Sequence, residues 1–275
     1  MLPNIEEMKV LHNLFSFTLF CIALLFLFTS CATLSGFGVG RVQRYNIRGD
    51  SLPQCFDGFK VAFVSDLHYP SLFGKKRLRQ LTKKLQSLNV ELLLLGGDYV
   101  TDNDCIDELF SSLSSVKTSY GCYAVLGNHE RKNHKEIIAA AHRNGITMLV
   151  DSAVYIKRDT DSISIVGIKN SFDCSCNVHV NDGIYTLLLC HTPDYAECYP
   201  YADIVFSGHT HGGQVSLFGL YTPVKNSVYG SRFLRGLNYT TANVPVITTT
   251  GVGTSRRRLR LCVPSELVVV TMFKD

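Results

Sequence analysis

From Phe59 onward the chain alternates short apolar runs with amphipathic stretches. The runs at 59–65, 91–95, 120–126, 163–166, 186–190 and 204–207 are rich in β-branched, aromatic and leucine side chains and most end in a polar loop, which predicts buried strands. Between them, Leu78, Leu81, Leu85 and Leu88 recur at helical spacing, Ile106, Leu109, Phe110 and Leu113 repeat the pattern, and Ile137, Ile138 and Ala141 suggest a third helix. Strand, crossover helix and strand imply a covered sheet. Val246, Thr248 and 267–271 read as further strands with Gly-rich turns, which predicts a second sheet packed on the first. The expectation is an α/β fold, a layered sandwich.

The first forty residues follow a different pattern. No formal charge lies between Lys9 and Arg41, and 14–28 is almost wholly apolar, approaching with its flanks the span of about 20 residues that a bilayer needs. This predicts a segment that enters or crosses a membrane. Two readings stay open. A start at Met8 would place Lys9 before the apolar run and Leu27-Phe28-Thr29-Ser30-Cys31 where a lipoprotein signal keeps its cleavage box, with Cys31 acylated. An uncleaved anchor is preferred, because Arg41, Arg44 and Arg48 follow the span and positive residues favour the cytoplasmic side. The chain divides accordingly into a membrane segment, 1–40, and one domain, 41–275, on the cytoplasmic face of the membrane.

Composition narrows the picture. With 275 residues, 46% of them hydrophobic and 18% charged, the chain can fill one sizeable core. A net charge of +4, scattered along the sequence, argues against a nucleic-acid partner. Ten cysteines without the dense spacing of a disulfide scaffold read mostly as reduced, buried thiols, Cys174 and Cys176 as loop thiols among them.

The chemistry gathers where the strands end. In order come Asp66-Leu67-His68, Gly97-Asp98, Gly127-Asn128-His129-Glu130, Cys190-His191 and Gly208-His209-Thr210-His211-Gly212-Gly213-Gln214. Strand ends converge at one edge of an α/β domain, so these residues can meet without being close in sequence. Imidazole and carboxylate ligands together suit Mn, Fe, Zn or Co, and a carboxylate can bridge two ions about 3.5 to 4 Å apart. His12, His134, His142 and His179 match no such block and are assigned no role.

These five segments resemble, in order, the signature blocks of the calcineurin-like metallophosphoesterase superfamily. The resemblance implies an α/β/β/α sandwich of the metallophosphoesterase type and two divalent ions, with Mn the expected metal. It also implies roles: Asp66, His68 and His211 for one ion, Asn128, His191 and His209 for the other, Asp98 between them. Hydrolysis would proceed by in-line attack at phosphorus, with His129 beside the leaving group and Glu130 orienting His129.

A narrower similarity runs from His191-Thr192-Pro193-Asp194 through Gly212-Gly213-Gln214 to the 251–258 turn and Pro264-Ser265-Glu266. It is to membrane-anchored bacterial phosphodiesterases and to the UDP-2,3-diacylglucosamine pyrophosphatases of lipid A assembly in chlamydiae. Gly167-Ile168-Lys169-Asn170 departs from the acidic pair common in that subgroup. The implied substrate is a lipid-linked nucleotide, UDP-2,3-diacylglucosamine, cleaved to UMP and 2,3-diacylglucosamine 1-phosphate. A broad membrane-associated phosphodiesterase is the alternative. A non-catalytic scaffold is the reading from another class, and it is disfavoured because His129 and all seven candidate ligands are present.

Three lesser features complete the reading. Lys75, Lys76, Arg77, Arg79, Lys83 and Lys84 form a charged helix face, read as solvated, with anionic headgroups as the alternative. Tyr69, Leu72 and Phe73 are expected to place an apolar loop at the mouth of the site, where an acyl chain could use it. Arg256, Arg257 and Arg258 are read evenly as surface charge or as a phosphate clamp.

Overall fold

The computed structural model describes residues 5–35, 39–70, 73–169, 174, 178–217, 219–256 and 259–275. The N-terminal segment forms one helix, α1 (Ile5–Ser35), containing an 18-residue apolar window, Met8–Leu25, none of which is buried against the rest of the chain.

Two six-stranded sheets follow. The first contains β1 (Arg41–Gly49), β2 (Phe59–Val64), β3 (Leu92–Leu95), β4 (Cys122–Ala124) and β5 (Thr147–Met148). The second contains β6 (Ser152–Arg158), β7 (Asp161–Ile168), β8 (Thr186–Cys190), β9 (Ile204–Ser207), β10 (Gly236–Tyr239) and β11 (Pro245–Thr248). The final strand, β12 (Glu266–Lys274), returns to the first sheet and lies between β1 and β2. This corrects the expectation that both C-terminal strands build the second sheet: β11 does so, whereas β12 pairs Val268 with Phe63 and Val270 with Val61 on β2.

The alternation of side chains within each strand explains the layering. On β2, Ala62 and Val64 face the helices α2 (Lys75–Gln86), α3 (Ile106–Ser114) and α4 (His134–Arg143), packing with Leu78, Leu81, Leu109, Phe110 and Ile137. Val61 and Phe63 face the other way and share the central core with Leu187, Leu189, Ile204 and Phe206 of the second sheet. Strands buried on both faces must be apolar at every position, so β3 reads Leu-Leu-Leu-Leu without alternation. On the far side of the second sheet, Leu188 and Val205 pack with Tyr195, Tyr199 and Phe233. That fourth layer is thin, formed by the 3-10 turn Pro193–Cys198 and adjoining loops.

Helix α2 buries the Leu78, Leu81 and Leu85 face, and Lys75 pairs with Glu108 at 3.0 Å on the outside. Arg77 departs from the expected solvated face, its guanidinium lying over the Phe73 ring and donating to Val252 O at 3.3 Å. Leu88 falls beyond the helix, which stops at Gln86 before a left-handed Asn89 at φ +49°.

Parallel register brings the strand ends into line. Val64 lies beside Leu95 and Leu95 beside Ala124, so the loops after β2, β3 and β4 leave the first sheet together. In the second, Leu189 lies beside Phe206 and Ser207 beside Thr248. The two edges are joined by backbone: Val252 N–H donates to Ser65 O (3.2 Å) and Gly253 N–H to Asp66 O (2.8 Å).

Candidate dinuclear metal centre

All five sequence blocks meet at this joined edge. Asp66, His68, Asp98, His191 and His211 are buried, and the imidazole of His129 is 41% exposed. The backbone is bent to achieve it: Asp66, His68, Asp98, His209 and His211 all have φ between +46° and +66°. Non-glycine residues rarely occupy that region, and such strain clusters where the surrounding structure enforces it for a function. Glycines make the room. A side chain at Gly127 would collide with the Asp98 carboxylate, and one at Gly208 with Ser65 and Asp66.

The donor atoms form two abutting groups. In one, His211 Nε2 lies 3.2 Å from Asp66 Oδ1 and 3.1 Å from His68 Nε2. In the other, Asn128 Oδ1 lies 2.7 Å from His209 Nδ1 and 3.1 Å from His191 Nε2. Asp98 Oδ2 stands between them, 3.6 Å from His68 Nε2 and 3.4 Å from His191 Nε2. One atom of each of Asp66, His68, Asp98 and His211 falls within 4.8 Å of the others.

The chemistry of this set fits cations. His191 Nδ1 contacts Gly96 O at 2.7 Å, which fixes Nδ1 as donor and turns Nε2 toward the site. Burial opposes ionisation of Asp66 and Asp98, yet the imidazoles of His211 and His191 respectively hold these carboxyls well below the usual range, in the ligating form. Burial pushes His68 and His209 down to about 4, so both present neutral imidazoles. His191 moves the other way despite burial, up to about 10, because the Asp98 carboxylate faces it. A divalent ion placed between such groups takes over the charge balance that a proton otherwise supplies.

Residues with no direct approach to these atoms hold the centre. The buried Glu130 carboxylate accepts N–H bonds from Asp98 (2.9 Å), Tyr99 (2.9 Å) and Gly127 (2.7 Å). Its contacts are with backbone, which corrects the expectation that it orients the His129 ring. Burial, reinforced by the Asp98 charge, pushes Glu130 up to about 7. His129 is held by its own N–H, which donates to Asp98 Oδ1 at 3.0 Å, and its ring sets edge to face on His68 with centroids 4.7 Å apart. Arg260 is buried behind His211, and its guanidinium donates to the carbonyls of Thr250 (2.6 Å) and Gly253 (2.6 Å). Neither bolt was visible in sequence; a lone Arg before Leu261-Cys262 carries no motif, and Glu130 showed only its adjacency to His129.

Other expectations are revised. Tyr69 and Phe73 are buried among the helices, with Tyr69 Oη donating to Glu108 at 2.8 Å, so they line the core and not the mouth of the site. Leu72 lies outside the described residues. Cys174 is no free thiol: its Cα is 5.5 Å from that of Cys198 and the two form a disulfide. Six cysteines, Cys21, Cys55, Cys105, Cys122, Cys190 and Cys262, are free among the described residues. Cys176, Asn170, Arg257, Arg258 and the Cys31 side chain lie outside the described residues. His134 contacts Arg131 O at 3.3 Å, a local bond remote from the donor groups.

Two donor groups sharing a carboxylate at a buried edge define a metal-dependent hydrolase with a dinuclear centre. The chain belongs to the calcineurin-like phosphoesterase family, whose model matches residues 59–213. It is similar to the phosphodiesterase YaeI of Escherichia coli, with 30% identity covering 78% of this chain and 82% of that protein. It is also similar to the UDP-2,3-diacylglucosamine pyrophosphatase LpxG of Chlamydia trachomatis, with 25% identity covering 84% and 88%. The metallophosphoesterase YkuE of Bacillus subtilis matches at 26% identity over 83% and 84%.

Proposed function

We propose that this chain hydrolyses a phosphoester or pyrophosphate whose lipid part stays in the membrane, with UDP-2,3-diacylglucosamine as the preferred substrate. The observation that carries the chemistry is the pair of donor groups on either side of Asp98 Oδ2. In this reading Asp66, His68 and His211 hold one divalent ion, Asn128, His191 and His209 hold the other, and Asp98 serves both. Manganese is the proposed metal, and the mixed oxygen and imidazole set is compatible with it. When bound, such ions neutralise phosphoryl charge and lower the pKa of coordinated water.

The chain's own residues supply the rest. His129 is the exposed member of the cluster, anchored through its N–H to Asp98. With its ring edge to face on His68, His129 is placed to give a proton to the departing oxygen as water adds to phosphorus and the bridging P–O bond breaks. The products from the preferred substrate are then UMP and 2,3-diacylglucosamine 1-phosphate. Helix α1 would confine the domain, 41–275, to the membrane surface, and Arg41, Arg44 and Arg48 favour the cytoplasmic side. The substrate assignment is supported by the similarity to LpxG.

A second reading, a membrane-associated phosphodiesterase of broader range outside the cytoplasm, is favoured by one observation: disulfides such as Cys174–Cys198 are rare in reducing compartments. Product analysis decides between them. Purified full-length protein with Mn²⁺ is expected to release UMP and the lipid monophosphate from UDP-2,3-diacylglucosamine. Hydrolysis of a soluble phosphodiester with the UDP-lipid left intact would contradict the preferred reading and leave the second.

A further inference from the structure

A pocket of about 470 Å³ opens directly beside His211, lined by Val215, Val224, Arg256 and Leu259 among others. It is built with care for shape. Gly213, at φ +80°, leaves no room for a side chain against Thr222, so two loops close tightly at its floor. The Gln214 amide donates to Ser255 O (3.0 Å) and accepts from Ser255 N–H (2.8 Å), which fixes the turn carrying Arg256. Arg256 itself sits at φ +54°, a costly conformation for a non-glycine residue.

The lining selects among ligands. Val215, Pro223, Val224 and Leu259 give an aliphatic wall, and no Phe, Tyr or Trp is among the described lining residues. Arg256 is the one lining side chain with a permanent charge among the described residues, and no described carboxylate lines the pocket to compensate it. The stretch of chain that contributes Pro223 and Val224 also exposes Leu220 (91%) and Val228 (85%). Four aliphatic side chains, the Arg256 guanidinium and the adjoining His211, all lining one pocket, are complementary to an anionic head with a hydrocarbon tail.

We infer that this pocket takes an acyl chain of the substrate, with Arg256 pairing to the substrate's phosphoryl oxygens as the chain enters. The inference rests on the lipid-linked phosphoester reading above and moves the acyl contact from Tyr69 and Phe73 to Val224 and Leu259.

The test uses the full-length protein in phosphatidylcholine nanodiscs and a series of alkyl 4-nitrophenyl phosphates carrying methyl, butyl and octyl groups. For the wild type, kcat/KM is expected to rise at least about tenfold from methyl to octyl, since each buried methylene contributes roughly a fourfold gain and full burial of two suffices. Val224→Ser with Leu259→Ser should flatten that rise through KM, while Tyr201→Ser, at the opposite end of β9, should keep the wild-type slope. Arg256→Ala should raise KM by a similar factor at every chain length, with partial rescue by Arg256→Lys. A wild type indifferent to chain length would overturn the inference while leaving phosphoesterase activity intact. Equal losses at all chain lengths in the Val224/Leu259 variant would assign this loop to contact with the bilayer instead, and also overturn it. A wild type that hydrolyses none of the series would remove the phosphoester reading, and the pocket assignment with it.

Discussion

Three backbone N–H groups from three different positions, Asp98, Tyr99 and Gly127, converge on the one buried carboxylate of Glu130. Replacing it by Gln keeps the shape but turns an N–H₂ toward an N–H donor, so at least one buried bond is lost. An unmatched buried polar group costs about 1–3 kcal/mol. Glu130→Gln is therefore expected to lower the urea midpoint of the metal-free protein, and its metal affinity should fall as Asp98 loosens. An unchanged midpoint would show that the carboxylate carries no load. His129→Ala should behave differently: a loss of about 10²–10⁴-fold in kcat, typical of a general acid, with metal content close to wild type. Loss of bound metal in that variant would make His129 a ligand. The contrast also shows what sequence conveys at this scale. Asp66, His68 and His211 announce themselves by following apolar runs, whereas Glu130 and Arg260 act on backbone groups that the folded chain brings within reach.

Among elements, the strands carry the site by ending together, and the sheets hold those ends in register through the central core. Phe63 on β2 and Phe206 on β9 bridge the two sheets, ring centroids 5.5 Å apart and both fully buried. Phe206→Ala should cost about 3–5 kcal/mol, the usual range for deleting a buried aromatic side chain, measurable by denaturant unfolding. A loss below about 1 kcal/mol would mean the sheets are not packed through this pair. Legibility at this scale followed burial. β2, β3, β8 and β9 are apolar on both faces and stand out in the sequence, while β1 is largely exposed and interleaves Arg41, Gln43 and Arg44 with its apolar residues, hiding its strand character. The position of β12 between β1 and β2 is a long-range choice that no local pattern encodes.

For the whole molecule, α1 is long and apolar enough to cross a membrane, and its Met8–Leu25 window is not buried within the described protein. Residues 40–275 made alone are expected to stay in solution and hydrolyse a soluble phosphodiester, whereas the full chain should sediment with membranes. Sedimentation of the shortened protein would place a second membrane contact in the domain. Orientation is separately measurable at Ala242, which is exposed on the loop before β11. Ala242→Cys should resist a membrane-impermeant thiol reagent in intact cells if Arg41, Arg44 and Arg48 mark the cytoplasmic side; labelling would agree with the Cys174–Cys198 disulfide and the second reading. The central claim, one carboxylate shared by two ions, is tested most directly by counting metal in the purified full chain. Wild type reconstituted with Mn²⁺ should hold two ions per chain and Asp98→Ala should hold fewer than one and turn over no phosphodiester. Two tightly held ions with near-normal turnover in Asp98→Ala would contradict the account.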